Sequence, residues 1–180
     1  MKVAELTALL RADLERLILP DDSGRRRVSW VKCINPRFMP VVIVRLARFF
    51  YLIRWLRPLS LLLTWLNVFI FGIEVTARCE IGPGLMLPHT VGTVIGAAKI
   101  GSNVTIFQGA TLGAKFADLA FDIQQRPVVG HHVVIGAGAK VLGGIQLGDH
   151  AVVAANSLLT ETLPPGALAI GVPAQIKLPS

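Results

Sequence analysis

Cysteine is nearly absent. Only Cys33 and Cys79 occur in 180 residues, and they form no CxxC pair. This excludes a disulfide framework and favours a reducing compartment, so a cytoplasmic setting is expected. No charge-free apolar run stands near the N-terminus, and no secretory leader is expected. The uncharged stretch from 58 to 73 holds 16 residues, short of the roughly 20 that a bilayer-spanning helix needs. Acidic residues are also few, 11 against 18 Lys and Arg. Residues 1–73 carry twelve cations and five acids, whereas 74–180 carry six of each, so the whole +7 excess precedes residue 74. Two surroundings are therefore expected, a basic, apolar segment over 1–73 and a neutral domain over 74–180. The length suits one domain with a small appendage.

What the neutral part does have is a period of six. From residue 129 to 158, Val129, Ile135, Val141, Leu147 and Val153 open successive blocks, and Val133, Ala139, Ile145, Ala151 and Ser157 fill the fifth positions. Six matches neither a helix nor a lone strand, and 30 residues leave no room for the crossover helices of a parallel sheet. The pattern predicts a triangular parallel β-helix, in which each block makes one side and stacked coils bury one another's apolar edges. Upstream, Val75, Ile81 and Leu87 keep the period, and a one-residue slip leads to Val94, Ile100, Ile106 and Leu112. Residues 114–127 break it and should form an extruded loop containing Phe116, Leu119, Phe121 and Ile123. At about 18 residues per coil, four to five coils are expected.

The leader reads as helical. Leu6, Leu9, Leu10, Leu14, Leu17 and Ile18 space an amphipathic helix over residues 1–19, and Pro20 through Gly24 end it. From 41 to 73 an apolar helical stretch is divided by Pro58. Arg45, Arg48, Arg54 and Arg57 fall on two opposed sides of it, and Trp55 and Trp65 belong to the same stretch. Three settings remain open: a membrane span, packing within an oligomer, or peripheral contact with anionic lipid. Arg25, Arg26 and Arg27 lack the aromatic company of a nucleic-acid site, so no nucleic-acid partner is expected.

Chemistry centres on the slip. His89 lies there within Pro88-His89-Thr90, and a histidine is the natural general base near neutral pH. Glu74 stands 15 residues earlier, close to one coil, where a carboxylate could hold the imidazole's tautomer.

The runs Phe71-Gly72-Ile73-Glu74-Val75, Ile81-Gly82-Pro83-Gly84-Leu85-Met86-Leu87-Pro88-His89, Gln108-Gly109-Ala110-Thr111-Leu112-Gly113, Ile135-Gly136-Ala137-Gly138-Ala139-Lys140 and Gly171-Val172-Pro173-Ala174 resemble the hexapeptide acyltransferases of the serine O-acetyltransferase type. That group includes the serine acetyltransferases and the O-acetyltransferases of polysaccharide biosynthesis. The resemblance, over residues 41–176, implies a left-handed β-helix, a homotrimer with sites between subunits, acetyl-CoA as donor and no metal. It makes His89 the base and Glu74 its acidic partner. It places the donor along Gly113, Gly136, Ala137, Gly138, Ala154, Ser157, Gly171, Pro173 and Lys177.

Departures from the serine enzymes set the acceptor expectation. Pro88 replaces the aspartate before the base, Gln125-Arg126 stand where an Arg-His pair ends the loop, and the leader is short and basic. Pro88, Gln125 and Arg126 are therefore expected to face a sugar or glycan hydroxyl, with free serine as the alternative acceptor. Two other classes compete. His131, His132 and His150 raise a trimeric zinc carbonic anhydrase, opposed by the divergence of adjacent histidines. A non-catalytic membrane-attached scaffold is opposed by Glu74 and His89.

Overall fold

The computed structural model describes residues 1–18, 35–118 and 120–179. The arginine triplet at 25–27, Cys33 and Leu119 lie outside the described residues. Helix α1 spans Val3–Leu17, α2 spans Met39–Tyr51, and α3 spans Arg57–Phe71 after a single 3-10 turn at Arg54–Leu56. Pro58 sits in the first turn of α3, where the missing N–H costs no helical bond. It thus divides the apolar stretch as its chemistry requires. Gly72 closes α3 at φ 64°, a left-handed cap that glycine adopts without a Cβ penalty.

The chain then winds into a three-sided coil. One side stacks β1 (Ile73–Val75), β3 (Thr93–Ile95), β6 (Thr111–Gly113), β9 (Lys140–Leu142) and β12 (Leu158–Leu159) in parallel. The second stacks β2 (Glu80–Ile81), β4 (Lys99–Ile100), β7 (Val128–Val129) and β10 (Gln146–Leu147). The third stacks β5 (Thr105–Ile106), β8 (Val134–Ile135), β11 (Val152–Val153) and β13 (Leu168–Ile170), and β14 (Gln175–Lys177) turns back antiparallel to close it. Lone bridges at Met86 and Leu163 complete the first and last of five coils.

The block openers and fifth-position residues from 129 to 158 are all buried. One register expectation needs correction. Val94 is half-buried and faces outward, and it is Ile95, 1% exposed, that points into the core. The chain takes eight residues from Leu87 to Ile95 and only five from Ile95 to Ile100. Two residues are thus inserted and one of them is given back on the next side, so the net slip at Ile100 is the expected single residue.

The helices cap the open end of the coil, and their cations do much of the holding. Arg45 pairs with buried Asp13 at 2.8 Å and donates to the carbonyls of Ile81 and Gly82. Arg16 donates to the carbonyls of Gly84 and Val104, and Arg48 to those of Ala77 and Arg78. Three cations of the basic leader therefore serve backbone acceptors of the solenoid, which weakens the expectation of a membrane-facing leader. Among the described residues no helix is long and apolar enough to cross a membrane. Cys79 is buried, and burial, partly offset by nearby Arg48, pushes its thiol up to about 12. It is a small core residue and no nucleophile.

Candidate active site

The two extra residues after Leu87 form a bulge at the corner between the third and first sides. The bulge is pinned on both flanks. Thr90 Oγ1 donates to the Phe71 carbonyl at 2.7 Å, the Gly92 N–H donates to the Gly72 carbonyl at 2.8 Å, and the Gly109 N–H donates to the Val91 carbonyl at 3.1 Å. His89 stands on this bulge, exposed, in the wall of a cleft of about 460 Å³. Pro88, Val91, the end of α3 at Ile70 and Phe71, and Arg37 also line it.

Glu74 is placed differently. It lies on β1 between buried Ile73 and Val75, points outward, and lines neighbouring clefts with Arg57 and with Arg126. No hydrogen bond joins it to His89 among the described residues. The pair inferred from the 15-residue spacing shares no cleft in the single chain. Glu74 is nonetheless only two residues beyond Gly72, which borders the His89 cleft.

The loop after β6 is built around Arg126. Its guanidinium donates to Asp118 Oδ2 from Nε at 3.1 Å and from Nη2 at 2.8 Å, to the Asp118 carbonyl at 3.1 Å and to the Gly96 carbonyl at 2.9 Å. It also lies over the Phe121 ring, 3.8 Å from the centroid, with Arg78 at 5.5 Å from that same ring. Arg126, expected at the acceptor, is committed to folding the loop. Gln125 is exposed and donates to Asp122 Oδ2 at 3.2 Å. Phe116 and Ile123 are exposed, so the apolar loop is only partly packed.

Burial alone pushes the Asp118 carboxyl upward, but the Arg126 hydrogen bond, the Asp122 N–H and the Arg126 charge pull it below the usual carboxylate value. A depressed folded value means the anchor is fully present above the unfolded carboxylate pKa, about 3.9, and is lost only as pH falls through the lower folded value. Hydrogen exchange over residues 120–127 should thus stay slow down to about pH 4 in the wild type. In Asp118→Asn it should be fast already at neutral pH, and equal rates in the two proteins would remove the anchor role.

Most of the residues expected along the donor converge on one edge. The Gly138 N–H donates to the Gln108 carbonyl and the Asn156 N–H to the Ala137 carbonyl, so turns 108–109, 136–138 and 154–156 stack directly beneath the His89 bulge. A Cβ on Gly136 would strike the backbone of Ala155, and Gly138 has φ +71°; both glycines are demanded by this tight corner. Ser157 is buried, and its Oγ accepts the Gly171 N–H at 3.0 Å, fixing the closing turn that contains Pro173. Gly113 and Lys177 fall elsewhere. Gly113 ends β6 on another corner, and Lys177 is exposed on β14.

The three other histidines line the remaining corner. His132 and His150 stack with centroids 4.7 Å apart, and His131 Nδ1 lies 2.6 Å from Ser102 Oγ. Among the described residues no group of three or more His, Cys, Asp or Glu is arranged to hold a metal.

Six-residue sides, a stacked small-residue corner and an exposed histidine at its head define a hexapeptide-repeat acyltransferase. Residues 126–161 match the family described as bacterial transferase hexapeptide (six repeats). The serine acetyltransferase of Helicobacter pylori (strain J99) is 37% identical over 173 residues, which covers 92% of this chain and 95% of that protein. Soybean serine acetyltransferase complexed with serine superposes with a TM-score of 0.83 at 30% identity, over 97% of this chain and 70% of that one. A serine acetyltransferase in complex with CoA gives 0.77 at 26% identity, over 97% and 71%. The chain belongs to the serine acetyltransferase family, and its solenoid is the left-handed parallel β-helix.

Arg37, which lines the His89 cleft, is not singled out by the sequence. Pro36 and Pro40 beside it read as punctuation, and nothing in the residue order ties position 37 to position 89.

Proposed function

We propose that this protein transfers the acetyl group of acetyl-CoA directly to the hydroxyl of L-serine, with His89 as general base. The observation that carries this reading is the near full-length match to a Helicobacter serine acetyltransferase, 95% of whose length this chain covers, combined with an exposed histidine in a cleft at the head of the stacked corner. The glycan acceptor expected from the sequence rested partly on the short leader. A relative of nearly the same length bears the serine acetyltransferase name, so a short leader is no argument against serine.

In this mechanism the neutral imidazole of His89 takes the hydroxyl proton as the serine oxygen attacks the thioester carbonyl. The tetrahedral intermediate collapses by expelling the CoA thiolate, which receives the proton from the imidazolium. O-acetylserine and CoA leave, and no acyl-enzyme forms. The donor runs along turns 136–138 and 154–156, whose main chain lies at the surface of the narrow corner. Glu74 contributes a negative charge that favours the imidazolium, closing on His89 when the site is filled, since catalytic hydrogen bonds often tighten only in the Michaelis complex. A homotrimer, in which a neighbouring solenoid supplies the far wall of the donor groove, completes the proposal.

The test is thiol release from acetyl-CoA with L-serine set beside a panel of nucleotide sugars and simple glycans. Serine-dependent release is expected. Release with a sugar and none with serine would restore the glycan reading.

A further inference from the structure

One helix of this fold is packed inside out, and from it we infer that the outer face of α3 docks on an anionic lipid surface. At about 100° per residue, Leu61, Trp65, Phe69, Leu62, Leu66 and Leu59 fan in that order across roughly 160° of α3, and all six are exposed. The Trp65 and Phe69 rings stack with centroids 5.6 Å apart. Polar residues take the opposite side. Ser60 and Asn67 are the buried residues of the helix, and they donate to the Ala47 and Pro40 carbonyls of α2 at 2.7 and 3.1 Å.

A surface helix of a water-soluble domain turns its apolar stripe inward. Helix α3 does the reverse, giving its hydroxyl and amide to α2 and offering a continuous hydrocarbon face outward, the mark of a surface made for an apolar contact. Its 15 residues are too few to cross a bilayer. The face therefore lies in the plane of the interface, with Trp, Phe and Leu sunk at the boundary of headgroups and acyl chains. The fold beneath it takes the part of the polar face.

Charge selects the occupant. Arg54, on the turn leading into α3, and Arg37, beside Ile70 at its far end, are both exposed, and neither guanidinium bonds to any described residue. Arg57 is exposed too, but it shares a cleft with Glu74. From 23 to 73 the sequence has no acidic residue. An anionic headgroup layer would thus meet a cation at each end of the apolar face, each contributing about fivefold to binding. A second copy meeting this face to face would set arginine against arginine with no acid between them, which opposes the contact. Arg16, Arg45 and Arg48, drawn into the fold, belong to α1 and α2, so their inward role leaves this face untouched.

The test is sedimentation of the full chain with vesicles of phosphatidylcholine alone or mixed with phosphatidylglycerol, with tryptophan emission as a second readout. Wild type should bind the anionic vesicles at least about 10-fold more tightly than the neutral ones, with a blue shift as Trp65 leaves water. Binding should weaken as salt is raised from about 0.1 to about 1 M. Leu62→Ser combined with Phe69→Ser should abolish it at an unchanged melting temperature, because both side chains already face water. Arg37→Ser combined with Arg54→Ser should lower affinity for the anionic vesicles about 10- to 30-fold and leave the neutral ones unaffected. Binding to neither vesicle would overturn the inference, and so would equal affinity for both. An assembly in wild type that the Leu62→Ser and Phe69→Ser changes dissociate, with no vesicle binding, would overturn it in favour of a second copy. Neither serine nor acetyl-CoA is present in the assay, so the result stands apart from the choice of acceptor.

Discussion

Replacing His89 by alanine is expected to lower kcat by ~10² to 10⁴, the usual contribution of a positioned general base, while the melting temperature stays at the wild-type value. The separation of the two effects follows from where the residue sits. The bulge is held by Thr90, Gly92 and Val91 through bonds to Phe71, Gly72 and Gly109, and the exposed imidazole takes no part in them. A drop in turnover with an intact fold would therefore report chemistry alone. Glu74→Gln should cost less, because it removes charge and keeps the amide in place on a strand whose pairing with β3 is made by backbone. Turnover of His89→Ala within a few-fold of wild type would mean that the proton goes elsewhere, and the exposed histidine would be reduced to a surface residue.

The solenoid was legible because its period is enforced at every coil. Each side has one inward aliphatic, so a six-residue spacing recurs wherever the chain is regular, and Val129 through Val153 are read without ambiguity. Val94 was misassigned because two adjacent β-branched residues, Val94 and Ile95, both satisfy an apolar pattern and only the stacking of Ile95 against Val75 and Leu112 chooses between them. Side-chain pairings across long separations were not legible at all. Asp13 and Arg45 lie 32 residues apart, and the arginines of the leader read as a surface charge excess when three of them are drawn inward. Arg126 is expected at the acceptor because Gln125-Arg126 stand where an Arg-His pair ends the loop of the serine enzymes, and nothing in the residue order ties its guanidinium to Asp118 or to the Gly96 carbonyl. His89 stood out because it breaks the period, whereas Arg37, on a turn between helices with no period to break, gave no signal.

Asp13→Ala should be among the most destabilising substitutions in the chain, costing ~3–5 kcal/mol, the penalty of leaving one buried charge without its partner. Asp13 is fully buried and Arg45 only 3% exposed, so neither charge can recover hydration when the other is removed. The carboxylate takes Arg45 Nε at 2.8 Å on Oδ2 and Arg45 Nη2 at 2.9 Å on Oδ1, and Oδ1 also accepts the Leu85 N–H at 2.8 Å. Removing it strands a guanidinium and a main-chain donor together. Against a total stability of about 5–15 kcal/mol for a typical domain, such a loss consumes much of the margin and should appear as a large fall in the urea midpoint. Asp13→Asn separates the contributions, since its amide oxygen can still accept from Leu85 while the ion pair is gone, and it should fall between wild type and alanine. Because a well-packed apolar pair is often no worse than a buried ion pair, Asp13→Leu combined with Arg45→Met should recover part of what either change loses alone. The segment bound by this pair, from Ile81 to Leu85, leads within a few residues to the His89 bulge. Activity of Asp13→Asn should therefore decline before bulk unfolding as the temperature is raised, and a loss of stability under 1 kcal/mol in Asp13→Ala would show that α1 is not fastened to the coil by this bond.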